Sequence, residues 1–126
     1  MTRSGAVPAV FFTRRATVVA VVDGDTVSVN VDNGFHTWVR MACRLKGIDA
    51  PEKNTMAGKA AKMFLEKMLP PGTDVVVDSI GVDKYGGRFD GKMWVVETGE
   101  NVAEMMLRTG NAKAWSVGKE KKPFPL

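Results

Sequence analysis

The chain is poor in the residues that crosslink proteins or carry histidine chemistry. Its 126 residues include one cysteine, Cys43, and one histidine, His36. A single cysteine cannot form an intrachain disulfide, and one histidine leaves little basis for a thiol nucleophile with a histidine base. Cys43 lies in an apolar and basic run at 39–45, which favours a small side chain on the buried face of a strand. His36 is expected on the surface of a strand.

Long hydrophobic runs are absent as well. No segment approaches the 18 apolar residues of a membrane-spanning helix, so we expect no membrane partner. The apolar run at 6–12 follows Arg3 and faintly resembles a signal peptide. That run is short, contains Pro8, and is followed by Arg14 and Arg15 instead of a small-residue cleavage site. We therefore favour a cytoplasmic location over secretion.

Length and charge indicate one domain with an acidic partner. A chain of this length that is 44% hydrophobic can bury one core. We divide it into an N-terminal arm or edge strand at 1–15, a folded domain at 16–117, and a basic, proline-containing tail at 118–126. The formal net charge of +4 favours nucleic acid as a partner, although it also serves solubility alone.

Five segments have the β-branched or alternating composition of strands. They are residues 16–22, 27–31, 35–45, 75–80 and 89–96. The first is an apolar, β-branched run, which predicts burial on both faces, whereas the second alternates and predicts one buried face. Asp32-Asn33-Gly34 predicts a hairpin, and Asp90-Gly91 predicts a bulge or kink.

Two further segments predict helices, at 55–69 and 101–109. An apolar stripe with helical spacing marks the buried face of the first helix; it consists of Met56, Ala60, Met63, Phe64 and Met68. Pro70-Pro71-Gly72 ends that helix. In the second helix Asn101 is the expected N-cap, with Glu104 at capping-box spacing, and Gly110 follows the end. The order β-β-β-α-β-β-α predicts a small α+β barrel.

Two carboxylates suggest a metal site. Asp25 starts the second predicted strand and Asp49 follows the third, so neighbouring strands can bring them together. Close carboxylates repel each other unless a cation or a proton lies between them, and all-oxygen ligation suits calcium or a similar hard ion. Each residue alone is equally typical of a solvated turn.

Two arginines and a glutamate complete the charged set. Arg44 lies five residues before Asp49, Glu52 precedes the first helix, and Arg88 follows a glycine-rich loop. Guanidinium groups grip phosphate oxygens and stabilise charge that builds in a transition state. Glu52 alone is also typical of a favourable charge near a helix N-terminus.

Three motifs in this chain resemble the staphylococcal nuclease family. They are Asp25 in Asp-Gly-Asp-Thr-Val, the run from Arg44 to Glu52, and Asp83-Lys84-Tyr85-Gly86-Gly87-Arg88. The resemblance covers about residues 16–115. It implies a five-stranded Greek-key OB-fold barrel with two packed helices, an architecture that often binds oligonucleotides.

The resemblance also implies roles for individual residues. Asp25, Asp49 and the backbone carbonyl of Ala50 would bind one calcium ion, and alanine at position 50 replaces the threonine of the founding enzyme. Arg44 and Arg88 would contact the scissile phosphate, although an extra glycine displaces Arg88 from the commoner family spacing. Glu52 would position or deprotonate the attacking water.

The interpretation is a calcium-dependent nuclease acting on DNA, RNA or both. By resemblance, Lys84 and Tyr85 would contact a terminal phosphate and the products would carry 3′-phosphates. We expect single-stranded nucleic acid as the preferred partner and a monomer in preference to a dimer. The alternatives are an OB-fold that binds nucleic acid without catalysis and a protein-interaction module.

Overall fold

The computed structural model describes residues 13–82 and 87–114. In chain order its strands and helices are β1 (Thr13–Asp23), β2 (Thr26–Asp32), β3 (Trp38–Leu45), β4 (Ile48–Asp49), α1 (Met56–Met68), β5 (Asp74–Val82), β6 (Arg88–Val95), α2 (Val102–Arg108) and β7 (Lys113–Ala114). Five of the strands match the predicted ones, with boundaries that differ by a few residues. The two-residue strands β4 and β7 were not predicted.

Five strands close into a barrel in the order β1-β2-β3-β6-β5, with β5 paired back to β1. Neighbouring strands are antiparallel except for β3 and β6, which are parallel. A closed, mixed, five-stranded barrel with two helices confirms the predicted α+β class and the OB-fold. The short strands β4 and β7 pair with each other outside the barrel.

The barrel interior is filled by alternate residues of each strand. Val27 and Val29 of β2 and Cys43 of β3 have no exposed surface, and Val27 is the cross-strand partner of Cys43. The prediction that β1 is buried on both faces was wrong. Its burial alternates, and Val22 is 49% exposed, because the outer surface of a barrel is not covered by a second layer.

The hairpin between β2 and β3 is longer than predicted. Asp32 ends β2, but β3 begins at Trp38 instead of position 35. Phe35 and His36 have φ angles of 55° and 60°, a left-handed conformation that residues other than glycine rarely adopt. They belong to a tight tip in which the Thr37 N–H donates to the Gly34 carbonyl at 3.0 Å.

The first helix buries a different face from the predicted one. Gly58, Ala61 and Leu65 are its buried residues. Met56 is 88% exposed and Met63 60% exposed, and Ala60 is exposed as well, so the predicted stripe was wrong for these three residues. Of that stripe, Phe64 and Met68 pack partly against the core.

Local signals at the helix ends agree with the predictions. The Asn101 side chain accepts a hydrogen bond from the Glu104 N–H at 3.0 Å, as an N-cap does, and Gly110 has a φ of 78° just beyond α2. A bulge or kink was predicted at Asp90-Gly91 of β6. The irregularity lies instead on the partner strand β5, where the register shifts between Ser79 and Gly81, opposite Gly91 and Asp90. Among the described residues, no helix is long and apolar enough to cross a membrane.

Candidate active site

One cavity collects the charged residues that the sequence singles out. It has a volume of about 320 Å³ and lies beside the loop that joins β3 to α1. Its lining residues are Asp23, Asp25, Thr26, Arg44, Asp49, Ala50, Pro51, Glu52, Lys53 and Arg88. All the predicted site residues within the described ranges are among them. Lys84 and Tyr85 lie outside the described residues.

Arg44 connects the two carboxylates predicted to bind metal. Its Nη2 lies 3.5 Å from Oδ2 of Asp25 and 3.6 Å from Oδ1 of Asp49. Its Nη1 donates to the backbone carbonyls of Leu45 and Ile48, each at 3.4 Å. Because one guanidinium group contacts both carboxylates, it offsets their mutual repulsion and holds them on one side of the cavity.

Asp25 accepts hydrogen bonds from the loop beside it. The Ala50 N–H donates to Oδ2 and the Thr26 hydroxyl donates to Oδ1, both at 3.1 Å. Burial raises the pKa of the Asp25 carboxyl, but the hydrogen bonds around it and the charge of Arg44 outweigh burial and hold the pKa below its usual range. Asp25 is therefore ionised at neutral pH, the form that can bind a cation.

Asp23 is a fourth carboxylate of the cavity, beside Asp25, Asp49 and Glu52, and was not predicted as a site residue. Its Oδ1 accepts a hydrogen bond from the Asp25 N–H at 3.1 Å. Burial, followed by the side-chain hydrogen bond with Asp25 and the charge of Asp25, raises the pKa of Asp23. The two carboxylates thus differ in how readily they ionise. The signal in the sequence was the Asp-Gly-Asp spacing, which places both carboxylates on one turn.

Two glycines allow the loops of the site to pack closely. A Cβ atom on Gly24 would lie 2.8 Å from Cβ of Ala50 and 2.9 Å from Cβ of Ala61. A Cβ atom on Gly58 would overlap the carbonyl oxygen of Glu52. Gly24 therefore lets the turn that carries Asp25 pack against Ala61 of α1, and Gly58 of α1 lets the Glu52 loop pack against the helix.

The N-terminus of α1 holds the backbone of Glu52. The Glu52 carbonyl accepts hydrogen bonds from the Thr55 N–H at 3.0 Å and from the Thr55 hydroxyl at 2.7 Å. The same Thr55 oxygen accepts a hydrogen bond from the Gly58 N–H at 3.0 Å and caps the helix. Glu52 itself is exposed, so its side chain lies at the open rim of the cavity.

Arg88 reaches the cavity despite the extra glycine before it. As the first residue of β6, it is the parallel partner of Ala42 on β3. Gly87 has a φ of 72°, which glycine adopts readily, and its carbonyl accepts a hydrogen bond from the Ala42 N–H at 2.9 Å. Arg88 thus begins β6, which pairs with β3, the strand that carries Arg44.

The donor set for a metal is small. Among the described residues, no group of three or more histidine, cysteine, aspartate or glutamate side chains is placed to hold a metal ion. The cavity offers Asp25 and Asp49, brought together by Arg44, with the backbone of Ala50 hydrogen-bonded to Asp25. Carboxylate and carbonyl oxygens fit a hard cation, and water would supply much of its coordination.

Cys43 lies in the barrel core and takes no part in the cavity. It has no exposed surface, and burial, with a smaller contribution from the negative charge of Asp90, raises the pKa of its thiol to about 12. This position agrees with its predicted packing role, because a buried protonated thiol is inert.

Comparison with known proteins identifies the family. The family model of staphylococcal nuclease homologues matches residues 42–124, which include Arg44, Asp49, Glu52 and Arg88 but not Asp25. Protein ParB of Escherichia coli is 42% identical over 81 residues, which are 64% of this chain and 42% of ParB. The chain thus spans less than half of that relative's length. Since the family model covers more than half of this chain, the chain belongs to the staphylococcal nuclease homologue family.

Proposed function

We propose that the protein is a calcium-dependent nuclease that hydrolyses phosphodiester bonds of DNA, RNA or both. The observation that carries the proposal is the contact of Arg44 with Asp25 and Asp49 in a cavity that Glu52 and Arg88 also line. Hydrolysis of a phosphodiester needs groups that bind phosphate oxygens, a group that orients water, and stabilisation of developing charge. These five side chains are of the types that supply them.

The two arginines would bind the scissile phosphate. The contacts of Arg44 with the carboxylates are longer than the ~2.7–2.9 Å of a strong charge-assisted hydrogen bond. Its guanidinium group lines the cavity, so a phosphate that enters would lie beside it. Arg88 would approach the same phosphate from β6 and stabilise the charge that develops on its oxygens.

Glu52 would orient and deprotonate the attacking water. It lies at the rim of the cavity with its backbone fixed by Thr55, so its carboxylate is accessible to solvent and to substrate. By resemblance to the family, the bond cut is on the 5′-oxygen side, and the products carry 3′-phosphates.

Asp25, Asp49 and the Ala50 carbonyl would hold the calcium ion. When bound, the ion supplies Lewis-acid polarisation of the phosphoryl group and of water. The lowered pKa of Asp25 favours this role, since a protonated carboxyl would have to lose its proton to bind the ion. A single-stranded substrate is favoured, because its backbone can enter an open cavity without opening a duplex. A monomer suffices for the proposed reaction, since one chain supplies all the named groups.

The experiment is digestion of plasmid and single-stranded DNA in calcium and in EDTA, with Glu52→Gln as the test variant. We expect cleavage by the wild type in calcium only, and a loss of about 10²–10⁴-fold in the variant, as for removal of a general base. Glu66→Gln is the matched control, because Glu66 is exposed on α1 and does not line the cavity; it should cleave at the wild-type rate.

Absence of cleavage by the wild type would contradict the proposal. Salt-sensitive binding of DNA without cleavage would favour a binding domain that lacks catalysis, and absence of both would favour a protein partner. Equal cleavage by the Glu52→Gln variant would move the water-activating role to another residue.

A further inference from the structure

The outer face of the β2–β3 hairpin carries a row of side chains that the proposed chemistry does not use. Cys43 faces the barrel core, so by alternation Ala42, Arg40 and Trp38 face outward. Trp38 is 57% exposed, and Arg40 makes a long contact of 3.5 Å with the Asn30 side chain across the strand pair. An exposed aromatic ring thus lies two residues from an exposed guanidinium group on one face.

This row is continuous with the candidate active site. Ala42 pairs with Arg88 of β6, which lines the cavity, and Arg44 lies two residues further along β3. From Trp38 to Arg44 the strand spans about 20 Å, at about 3.3 Å per residue. We name Trp38, Arg40, Arg88 and Arg44 the arginine–tryptophan track.

The hairpin tip extends the track with a second aromatic ring. Phe35 is 97% exposed, and both it and His36 have left-handed backbone conformations. The tip is held in this conformation by hydrogen bonds: the Gly34 N–H donates to Asp32 at 2.9 Å, and the Thr37 hydroxyl donates to the Gly34 carbonyl at 2.6 Å. The tip thus holds an almost fully exposed aromatic ring at the end of the same hairpin.

We propose that the arginine–tryptophan track binds single-stranded nucleic acid that extends from the active site. Trp38 stacks on a base, and Arg40 contacts the backbone phosphates between that base and the cavity. Single-strand binding proteins combine these two elements, a cationic path for the backbone and aromatic faces for the bases. The inference rests on the proposed function, since it assigns the phosphate next to Arg44 and Arg88 to the same strand.

The charges favour a polyanion over a protein partner. Three arginines lie on the track. The nearby carboxylates are Asp32, the cross-strand partner of Trp38, and Asp90, the cross-strand neighbour of Arg44. Asp25 and Asp49 also contact Arg44 at the cavity end, where they would hold the proposed cation. An aromatic patch for a protein partner would have no need to continue as guanidinium groups into a cavity that binds phosphate. Continuity with that cavity identifies the occupant as the substrate strand.

The first test measures binding in EDTA, where no cleavage is expected. The probes are two fluorescein-labelled thymidylates, one of 20 nucleotides and one dinucleotide. Fluorescence anisotropy measures how tightly each probe binds. Trp38→Ala should weaken binding of the long probe about fivefold to a hundredfold, as loss of one stacked base does. Trp38→Phe should restore much of that loss. Arg40→Gln should reduce the slope of log K against log salt by about 0.7, as expected for one lost phosphate contact on a single strand.

Matched controls are Met63→Ala and Arg108→Gln, which remove an exposed apolar side chain and an exposed guanidinium group away from the track. Both should bind as the wild type does. Thermal unfolding checks that each variant is folded. If Trp38→Ala and Arg40→Gln bind the long probe as tightly as the wild type, the track is overturned.

The second test separates the track from the proposed catalysis. In calcium, Trp38→Ala should raise KM for the long strand and leave kcat/KM for the dinucleotide unchanged. If the wild type binds the long strand through Trp38 and Arg40 but cleaves nothing, the proposed function fails and the track stands. If the wild type cleaves both substrates and the track variants match it on both, the track fails and the proposed function stands.

Discussion

Arg44 lets Asp25 and Asp49 lie close together in one cavity. Both carboxylates contact its Nη2, and Asp49 is only 3% exposed. A buried carboxylate costs folding free energy unless a partner compensates for it. Leu45 and Ile48 accept hydrogen bonds from the other end of the guanidinium group. The side chain therefore needs two separate nitrogens, which a lysine does not have.

Arg44→Lys should lower kcat/KM on single-stranded DNA by about 10²–10³-fold, the usual effect of removing one group that stabilises transition-state charge. The charge is kept, but an ammonium group cannot contact both carboxylates and both carbonyls. The control is Arg108→Lys, because Arg108 forms an exposed pair with Glu100, where such a change has little effect. Activity of Arg44→Lys within tenfold of the wild type would contradict the role given to Arg44.

The buried thiol of Cys43 should make the free energy of unfolding depend on pH. Its pKa is about 12 in the folded protein, whereas an unfolded cysteine ionises near pH 8.5. Between these values the unfolded state releases a proton that the folded state keeps, so stability falls as the pH rises. Urea unfolding at pH 8 and about pH 10 should show a larger loss for the wild type than for Cys43→Ala.

A thiol-reactive disulfide reagent gives a second readout for Cys43. At pH 8 it should label the folded protein far more slowly than the urea-unfolded protein, because the thiol is buried and protonated. Equal labelling rates in both states would mean that Cys43 is exposed.

At the scale of elements, local signals predicted where strands and helices lie but not all of the faces they bury. Asn101 and Gly110 were read correctly, because capping and left-handed φ are decided within a few residues. Met56 and Met63 were read wrongly. Apolar spacing alone does not decide which stripe of a helix packs against the core. In α1 the backbone at Gly58 contacts the Glu52 carbonyl, and the face that carries Gly58 also buries Ala61 and Leu65.

Gly58→Ala tests the close contact between α1 and the Glu52 loop. Helix propensity alone predicts that alanine stabilises the helix by roughly 1 kcal/mol. We expect a loss of stability instead, because a Cβ there overlaps the Glu52 carbonyl, together with reduced cleavage as the Glu52 loop is displaced. Urea unfolding and a cleavage assay measure the two effects.

Ala60→Gly in the same helix is the control for Gly58→Ala. Its side chain is exposed, so the change should cost roughly 1 kcal/mol of stability and leave cleavage unchanged. A Gly58→Ala variant that is more stable and equally active would show that the loop does not depend on the bare backbone at this position.

At the scale of the whole molecule, the barrel brings distant segments to one cavity. Asp25 lies in the turn before β2, Asp49 in β4 and Arg88 in β6, and the parallel pairing of β3 with β6 sets Arg88 beside β3. The sequence singled out residues that line this cavity because their motifs resemble a known family, and their roles stay predictions. It gave no signal for the pKa of Asp23, the β4–β7 pair or the hairpin tip, since these depend on contacts between segments far apart in the chain.

The calcium dependence of single-stranded DNA cleavage tests the central claim most directly. We predict that the wild type cleaves in calcium and not in EDTA, and that Asp49→Asn needs far more calcium or loses activity. Asp74→Asn, which changes an exposed aspartate outside the cavity, should show the wild-type calcium dependence. Cleavage in EDTA equal to that in calcium, or unchanged calcium dependence in Asp49→Asn, would contradict a calcium-dependent nuclease site in this cavity.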